Sequence, residues 1–335
     1  MKEFKHIQSA HCENGVTSSL FYNNGFEEIT EPLAFGIGSG LFYIHLPFIK
    51  INNGPAISFR SVPGTVFKRN CKNLGIGVYQ KTFSSPQKAQ LALDTELAKN
   101  SWVGCQVGVY HLPYFPLQYR FHFNAHNLIV FGKQGNQYQV SDPVMEETTL
   151  ISEEDLSRVR FAKGALAPKG RLYYPIIEKN PTNEQISNAI LKGIKRNARD
   201  MLYIPSRLTG VRGIGYTANK IKSWRNKLGP RRAGLYLGQI IRMQEEIGTG
   251  GGGFRYIYAA FLEQSHSYLQ NDKISLVSED FTKSGDSWRN CAVAMASIMK
   301  GKNTEQKDFD EVAERMFQIK EIEKEAFLKL RNLVK

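Results

Sequence analysis

Apolar residues are spaced differently in the two parts of the chain, and the change falls near residue 150. Before this point short apolar runs alternate with turn residues, as in strands and helices joined by loops. After about residue 180, apolar residues recur every three to four positions, which is the spacing of amphipathic helices. We therefore predict an α/β (α+β) domain over residues 1–155 and a mostly helical domain over residues 156–335.

Two helices in the first part have clear boundary signals. Residues 15–23 follow Cys12 and stop at Asn24 and Gly25, residue types that end helices. Residues 84–100 have Ser85 as a cap and Pro86 in the first turn. Strands are predicted within 57–62, 74–82, 102–110, 127–131 and 138–141. Further helices are predicted over 183–199, 217–226, 232–247, 254–268, 287–299 and 304–333.

Composition places the chain among ordinary globular proteins. It has 335 residues, of which 41% are hydrophobic, enough for two domains of typical size. No apolar stretch follows Met1 and no run reaches the roughly 18 residues of a membrane span, so we expect a cytoplasmic protein without membrane contact. The four cysteines form no CxxC pair, and the histidines lack HExxH spacing. We therefore expect no metal, no cofactor and no disulfide framework.

The net charge of +13 bears on the choice of partner, because basic residues concentrate between Lys192 and Arg242. Such a stretch can attract an acidic protein, a phosphorylated ligand or nucleic acid, or it can be a set of solvated helix faces. The chain has no zinc-finger pattern, no RNP-type aromatic signature and no clear helix-turn-helix. An acidic protein is therefore preferred over nucleic acid.

Two glycine-rich stretches raise the question of a phosphate site. Residues 36–40 lack the lysine of a P-loop, whereas residues 248–253 precede a predicted helix and could present N–H groups to an anion. Glycines also permit tight turns and close packing. The structural interpretation is preferred for both stretches.

Cys12 is the residue with the clearest chemical implication. It lies at the predicted start of a helix, where the helix dipole favours a negative charge and hence a nucleophilic thiolate. His126 precedes an apolar strand whose hairpin partner ends at Asp142, and antiparallel pairing through a loop at 132–136 can bring the two together. A histidine beside Cys12 would hold the proton, and a carboxylate would orient its ring. Alternatively Cys12 is an inert buried cysteine, and His122 is the competing base.

The order of a cysteine helix, a histidine strand and an aspartate strand is that of papain-like cysteine enzymes. The chain also resembles the N-terminal domain of butirosin biosynthesis protein H, followed by a helical domain of unknown function. The first resemblance is carried by His11-Cys12, Thr30-Glu31-Pro32, Phe35-Gly36-Ile37-Gly38, His126 and Asp142-Pro143. The second is carried by Gly250-Gly251-Gly252-Gly253-Phe254-Arg255, Ala260-Phe261-Leu262 and Trp288-Arg289.

The resemblance implies a papain-like fold and acyl transfer. In the named relative an aminoacyl group passes from an acyl carrier protein to an amine of an aminoglycoside. Carried over, Cys12 is the nucleophile, His126 is the general base and then the acid, and Asp142 orients the imidazole. An acyl-enzyme on Cys12 would form from a thioester and be resolved by a small amine.

Three other residues are candidates for oxyanion or substrate contacts. Papain-like enzymes place a glutamine six residues before the cysteine, where this chain has His6. The His6 imidazole could donate to the oxyanion instead, or it could be a plain surface residue. His11 either tunes Cys12 or only packs, and Glu31 either binds an amine substrate or caps the turn before Pro32.

Two other classes of protein are compatible with the same residues. A cysteine hydrolase or peptidase would use the same triad with water as the acceptor. A binding protein would keep the papain-like fold without turnover. The identity of the acyl group and the acceptor, and the oligomeric state, do not follow from the sequence.

Overall fold

The computed structural model describes residues 3–51 and 54–334. The strands are β1 (Leu41–Ile51), β2 (Gly54–Arg60), β3 (Gly77–Lys81), β4 (Val103–Val107), β5 (His126–Gln134), β6 (Gln137–Ser141), β7 (Thr149–Ser152) and β8 (Leu172–Ile176). The α-helices are α1 (Cys12–Asn23), α2 (Glu31–Ile37), α3 (Thr65–Leu74), α4 (Pro86–Ala98), α5 (Glu153–Arg160), α6 (Asn183–Tyr203), α7 (Gly210–Leu228), α8 (Pro230–Ile241), α9 (Arg255–Leu269), α10 (Asp272–Met299) and α11 (Gln306–Leu333).

The chain forms two compact units. The first contains Met1–Ala34 and Pro63–Thr182, and the second contains Phe35–Val62 and Asn183–Lys335. This division differs from the boundary expected at residue 155. The reason is that β8 returns to the sheet of the first unit, while the β1–β2 hairpin packs with α7 and α8 in the second.

The first unit is built on a six-stranded sheet in the order β3-β8-β4-β5-β6-β7, and all neighbouring strands are antiparallel. Apolar side chains of the central strands form one core with Leu93 of α4 and with Leu156 and Val159 of α5. Helix α1 packs against β5 and is buried along nearly its whole length. A helix buried on all sides has no amphipathic stripe. The sequence therefore predicts the ends of α1 more clearly than its body.

The predicted end of α1 and the predicted cap of α4 are confirmed, whereas α4 spans Pro86–Ala98 rather than 84–100. Helix α1 ends where Gly25 adopts a φ of +87° and donates its N–H to the Tyr22 carbonyl. Helix α4 begins after Ser85, whose side chain accepts a hydrogen bond from the Lys88 N–H. Capping residues form hydrogen bonds with the nearest turn of backbone, so they can be predicted from the sequence without knowledge of the fold.

The hairpin of β5 and β6 is tighter than predicted. The expected loop over residues 132–136 is wrong, because β5 continues to Gln134 and β6 starts at Gln137. The turn is only two residues long, and Gly135 has the positive φ, +59°, that such turns require. The pairing register then shifts by one residue between Val130 and Gly132, so the strand contains a β-bulge.

The second unit is mostly helical, as predicted, but two of its helices begin earlier than expected. Helix α7 starts at Gly210 rather than near residue 217, and α10 starts at Asp272 rather than near residue 287. Glycine lowers helix propensity, which hid the first turns of α7 in the sequence. Gly213 is needed there because a Cβ would lie 2.6 Å from the Leu208 carbonyl oxygen. Among the described residues, no helix is both long and apolar enough to cross a membrane.

The glycine stretch at 248–253 has a structural role. Gly250, Gly251, Gly252 and Gly253 all have φ between +57° and +84°, which side chains rarely allow. The Gly252 N–H donates to both carboxylate oxygens of Glu245, at 3.2 Å each. Glu245 of the same chain thus accepts the hydrogen bonds that the glycine stretch could otherwise have donated to an anionic ligand.

A buried ion pair lies in the core of the second unit. The Arg255 guanidinium donates to both carboxylate oxygens of Glu323 at 2.8 Å, and both side chains are fully buried. Ser284 and the Trp288 indole N–H also donate to Glu323, each at 2.8 Å. A charge taken out of water is tolerated when its hydrogen bonds are satisfied in this way.

We predict that Glu323→Gln lowers the free energy of unfolding by about 3–5 kcal/mol, because Arg255 is left as an uncompensated buried charge. The measurement is equilibrium denaturation of the whole chain. The matched control is Asp280→Asn, which removes an exposed partner of Lys329 and should cost less than about 1 kcal/mol. Equal effects of the two substitutions would contradict the prediction.

Candidate active site

The N-terminus of α1 presents Cys12, whose exposed fraction is 6%. His11 caps the helix, with an extended backbone and a ring Nδ1 that accepts from the Asn14 N–H at 3.3 Å. The Glu31 carboxylate accepts from the N–H groups of Ala10 and His11, at 2.9 and 2.8 Å. These contacts fix the backbone that leads into the cysteine.

Gly15 allows α1 to come close to the end of β6. A Cβ at this position would lie 2.6 Å from Cβ of Pro143 and 2.6 Å from Cβ of Ser9. The Ser9 N–H donates to the Pro143 carbonyl at 2.6 Å, so three segments meet here. Any larger residue would push the helix away from the segment that begins with Asp142.

His126 and Asp142 are in direct contact, with 2.6 Å between Nε2 and Oδ2. Ile129 faces Ser141 in the ladder, which puts His126 and Asp142 on the same face of the sheet in diagonal positions. The β-bulge at Phe131 produces this arrangement. If the ladder continued from the turn without a bulge, the pairing of β5 with β6 near His126 would be shifted by one residue. Such a shift would turn His126 to the opposite face.

Asp142 is fully buried and accepts three hydrogen bonds. Its Oδ2 accepts from His126 and from the Tyr114 hydroxyl at 2.9 Å, and its Oδ1 accepts from the Val144 N–H at 3.3 Å. Burial and the nearby carboxylate raise the pKa of Tyr114 well above its ordinary value, so the phenol stays a neutral donor. Hydrogen bonds of this kind stabilise a buried carboxylate in its charged form.

The protonated form of His126 is strongly favoured. Burial alone would lower its pKa, but the charges of Asp142 and Cys12 and hydrogen bonds to both raise the pKa of His126 to about 10. Since Nε2 is held by Asp142, the other ring nitrogen, Nδ1, is the one left for the Cys12 sulfur. A positive charge beside a thiol at a helix N-terminus stabilises the thiolate.

The other cysteines lie in different surroundings. Burial raises the pKa of Cys71 and of Cys291 to about 12, and it also raises the pKa of Cys105. His122, the competing base, lies outside β5, is exposed, and stacks on Tyr110 with 4.1 Å between ring centroids. The histidine that interacts with Cys12 is His126.

The remaining predicted site residues support the backbone around this cluster. His6 uses both ring nitrogens: Nδ1 pairs with the Ser141 hydroxyl at 2.8 Å, and Nε2 pairs with the Met145 carbonyl at 3.1 Å. Both residues flank Asp142. The two oxygens of Glu31 hold the segment before Cys12, and burial raises the pKa of this carboxyl group despite its backbone hydrogen bonds.

Three residues near the site were missed in the sequence. Tyr114 contacts Asp142, and the half-buried Phe115 meets the His126 ring edge-on, with 5.4 Å between centroids. Glu13 is buried and accepts from the N–H groups of Gly64 and Val66 at the start of α3. The cluster of aromatic residues before His126 was a visible signal for the first two, but no local pattern indicated what Glu13 binds. Within 3–51 and 54–334 no group of three or more His, Cys, Asp or Glu side chains could hold a metal ion.

Fold and site together define a mixed α/β protein with a helical C-terminal region and a buried cysteine–histidine–aspartate cluster in its first unit. A family model described as "Butirosin biosynthesis protein H, N-terminal" matches residues 11–143, and one described as "Domain of unknown function (DUF4872)" matches residues 154–330. The chain belongs to the family in which these two domains follow one another. No curated protein matches it.

We predict that the His126 ring titrates near pH 10 rather than near the ordinary value of about 6.5. Asp142→Asn should lower that midpoint by roughly 1–3 units, because it removes a negative charge in contact. The measurement is an NMR titration of ring-labelled histidines. His45 is the internal control, since burial lowers its pKa to about 4 and it stays neutral.

The raised pKa also fixes the sign of the effect of His126 on stability. Because its folded pKa exceeds its unfolded one, the stabilisation is complete below about pH 6.5 and is lost as pH rises through about 10. In the NMR titration, a wild-type His126 midpoint near the ordinary histidine value of about 6.5 would contradict the raised pKa.

Proposed function

We propose that this protein is a cysteine-dependent acyltransferase with a papain-like catalytic unit. The observation that carries the proposal is the 2.6 Å contact that holds the His126 ring on Asp142, with Cys12 near enough to this ring to contribute to the raised pKa of His126. A cysteine at a helix N-terminus, packed against an antiparallel sheet that supplies the histidine, is the papain-like arrangement. The family description supports a biosynthetic enzyme.

The first half-reaction consumes a thioester. The Cys12 thiolate attacks the acyl carbonyl, a carbon–sulfur bond forms, and a tetrahedral oxyanion results. Collapse of this intermediate breaks the bond to the donor sulfur, which takes a proton from His126. Because the raised pKa of His126 favours the protonated ring, His126 acts first as an acid in this scheme.

The second half-reaction forms an amide. A neutral amine attacks the acyl-enzyme and gives up a proton to His126, which is now neutral. The carbon–sulfur bond to Cys12 breaks, and the thiolate and imidazolium are restored together. Asp142 holds the ring in place and stabilises its charged form in both steps.

The Cys12 backbone N–H is our candidate for the oxyanion donor. The first N–H groups of a helix have no partner within the helix, and this one lies beside the attacking sulfur. His6 is assigned a positioning role instead, since its nitrogens already engage Ser141 and Met145 around Asp142. Glu31 likewise positions the backbone before the cysteine. His11 contributes as the cap of α1.

An acyl carrier protein is the donor that we propose, and a small amine is the acceptor. Carrier proteins are acidic, and the second unit carries exposed cations on consecutive helices. One surface cavity of about 490 Å³ is lined by Lys195, Arg199, Tyr203, Arg331 and Val334. Complementary charge would speed the encounter, and added salt would slow it.

We predict that Cys12 is alkylated faster than Cys71, Cys105 and Cys291 at about pH 6.5, two units below the ordinary thiol pKa of about 8.5. His126→Ala should slow Cys12 labelling by more than about ten-fold, because the charge that stabilises the thiolate is lost. Peptide mass spectrometry measures all four sites in one digest. If Cys12 labels no faster than the other three, or ignores His126→Ala, a binding protein is the better account.

We also predict that a simple acyl thioester leaves one acyl group on Cys12 and releases its thiol in a burst. Adding an amine should then discharge the enzyme faster than buffer alone, with amide as the product, because the acceptor step is aminolysis. Intact-protein mass spectrometry follows the adduct, and Cys12→Ala is the control without adduct. Discharge at a rate independent of amine, giving only the free acid, would identify a hydrolase instead.

A further inference from the structure

The connection between β4 and β5 is unusually aromatic. Residues 109–125, here called the aromatic loop, contain six Tyr or Phe in seventeen positions, whereas aromatic residues make up 11% of the whole chain. Arg120 is the only Lys, Arg, Asp or Glu in the loop. Several of its large side chains face water: Leu117 is 78% exposed, Tyr119 62% and Tyr110 44%. Exposed apolar side chains that form a contiguous patch mark a binding surface.

The aromatic loop is held in a defined shape. The Arg120 side chain donates to the carbonyls of Phe115 and Pro113, at 2.8 and 2.7 Å. Backbone hydrogen bonds from Tyr119 to Pro116 and from Arg120 to Leu117 close a tight turn. The one charge of the loop is thus used to fasten its own backbone. The apolar side chains are displayed on a preorganised support, which lowers the entropic cost of binding.

The same loop touches the reacting groups. Tyr114 donates to Asp142, and the half-buried ring of Phe115 packs edge-on against His126. An acyl group on the Cys12 sulfur would lie beside His126, and so beside Phe115. Phe115 therefore connects the reaction centre to the turn that follows it in the chain, on which Leu117 and Tyr119 are exposed.

We propose that the aromatic loop binds the acyl group carried by Cys12, and that this group is apolar, either an aliphatic chain or an aromatic ring. This inference rests on the proposed function. The chemistry of the loop selects the class, because it offers no free carboxylate or ammonium to a charged acyl group. Aromatic faces and a leucine bind hydrocarbon by removing it from water.

The test compares two alkylating agents that share a reactive group, iodoacetamide and N-hexyl iodoacetamide. Each rate at Cys12 is divided by the rate of the same reagent with glutathione. The N-hexyl reagent should then be favoured about ten-fold in the wild-type protein, the factor expected when two methylene groups leave water. The double variant Leu117→Ser with Tyr119→Ser should lose this preference. Both side chains are exposed, so the fold should tolerate the change.

The matched control is Leu91→Ser, an equally exposed leucine on α4 at 70% exposure, which should keep the full preference. An absent preference in the wild-type protein, or one that survives in the loop variant, would overturn the proposal. Both reagents react with the Cys12 thiolate, so the ratio of their rates does not depend on the fraction of Cys12 that is thiolate. Slow labelling by both reagents therefore counts against the proposed function, whereas a ratio near one counts against the loop.

Two other occupants of the aromatic loop are distinguished by the same variants. Sedimentation detects a second copy of the chain, and flotation with phosphatidylcholine vesicles detects a membrane surface. If the loop variant abolishes self-association or vesicle binding and leaves the reagent ratio unchanged, the loop is an interface and the acyl-binding assignment is wrong.

Discussion

The buried contact between His126 and Asp142 is the interaction around which the first unit is organised. It exists because a single bulge at Phe131 shifts the register between β5 and β6 and turns both side chains to one face of the sheet. Once buried, the carboxylate needs donors, and Tyr114 and the Val144 N–H complete its set. The same carboxylate raises the pKa of His126, whose ring interacts with Cys12 at the N-terminus of α1.

Close packing at a glycine brings the cysteine to this pair. Gly15 lets α1 approach Pro143 more nearly than any side chain would allow, and Glu31 ties down the residues before the helix. Two residues that the sequence offers as site residues, His6 and Glu31, contact the segments around Asp142 and before Cys12. His6 braces the residues on either side of Asp142, and its imidazole has no nitrogen to spare.

The second unit contains a buried ion pair whose hydrogen bonds are satisfied within the unit. Its Arg255–Glu323 pair is buried among apolar helices, and the pair is compatible with that environment because Ser284 and Trp288 satisfy the carboxylate. The adjoining glycine stretch contacts Glu245 through the Gly252 N–H, which donates to both carboxylate oxygens. Both features use charges internally, whereas many cations of α6 to α8 are exposed.

Local signals in the sequence were enough to predict the α/β first part, the helical second part, the cap of α4 and the end of α1, because these depend on neighbouring residues only. The order of Cys12, His126 and Asp142 likewise indicated which residues to bring together. The tertiary structure decided whether they meet. A bulge of one residue, a glycine at a helix–strand contact and the return of β8 to the sheet have no local signature, since each depends on atoms far apart in the chain. The same holds for the raised pKa of His126, which depends on burial and on charges that only the fold brings near.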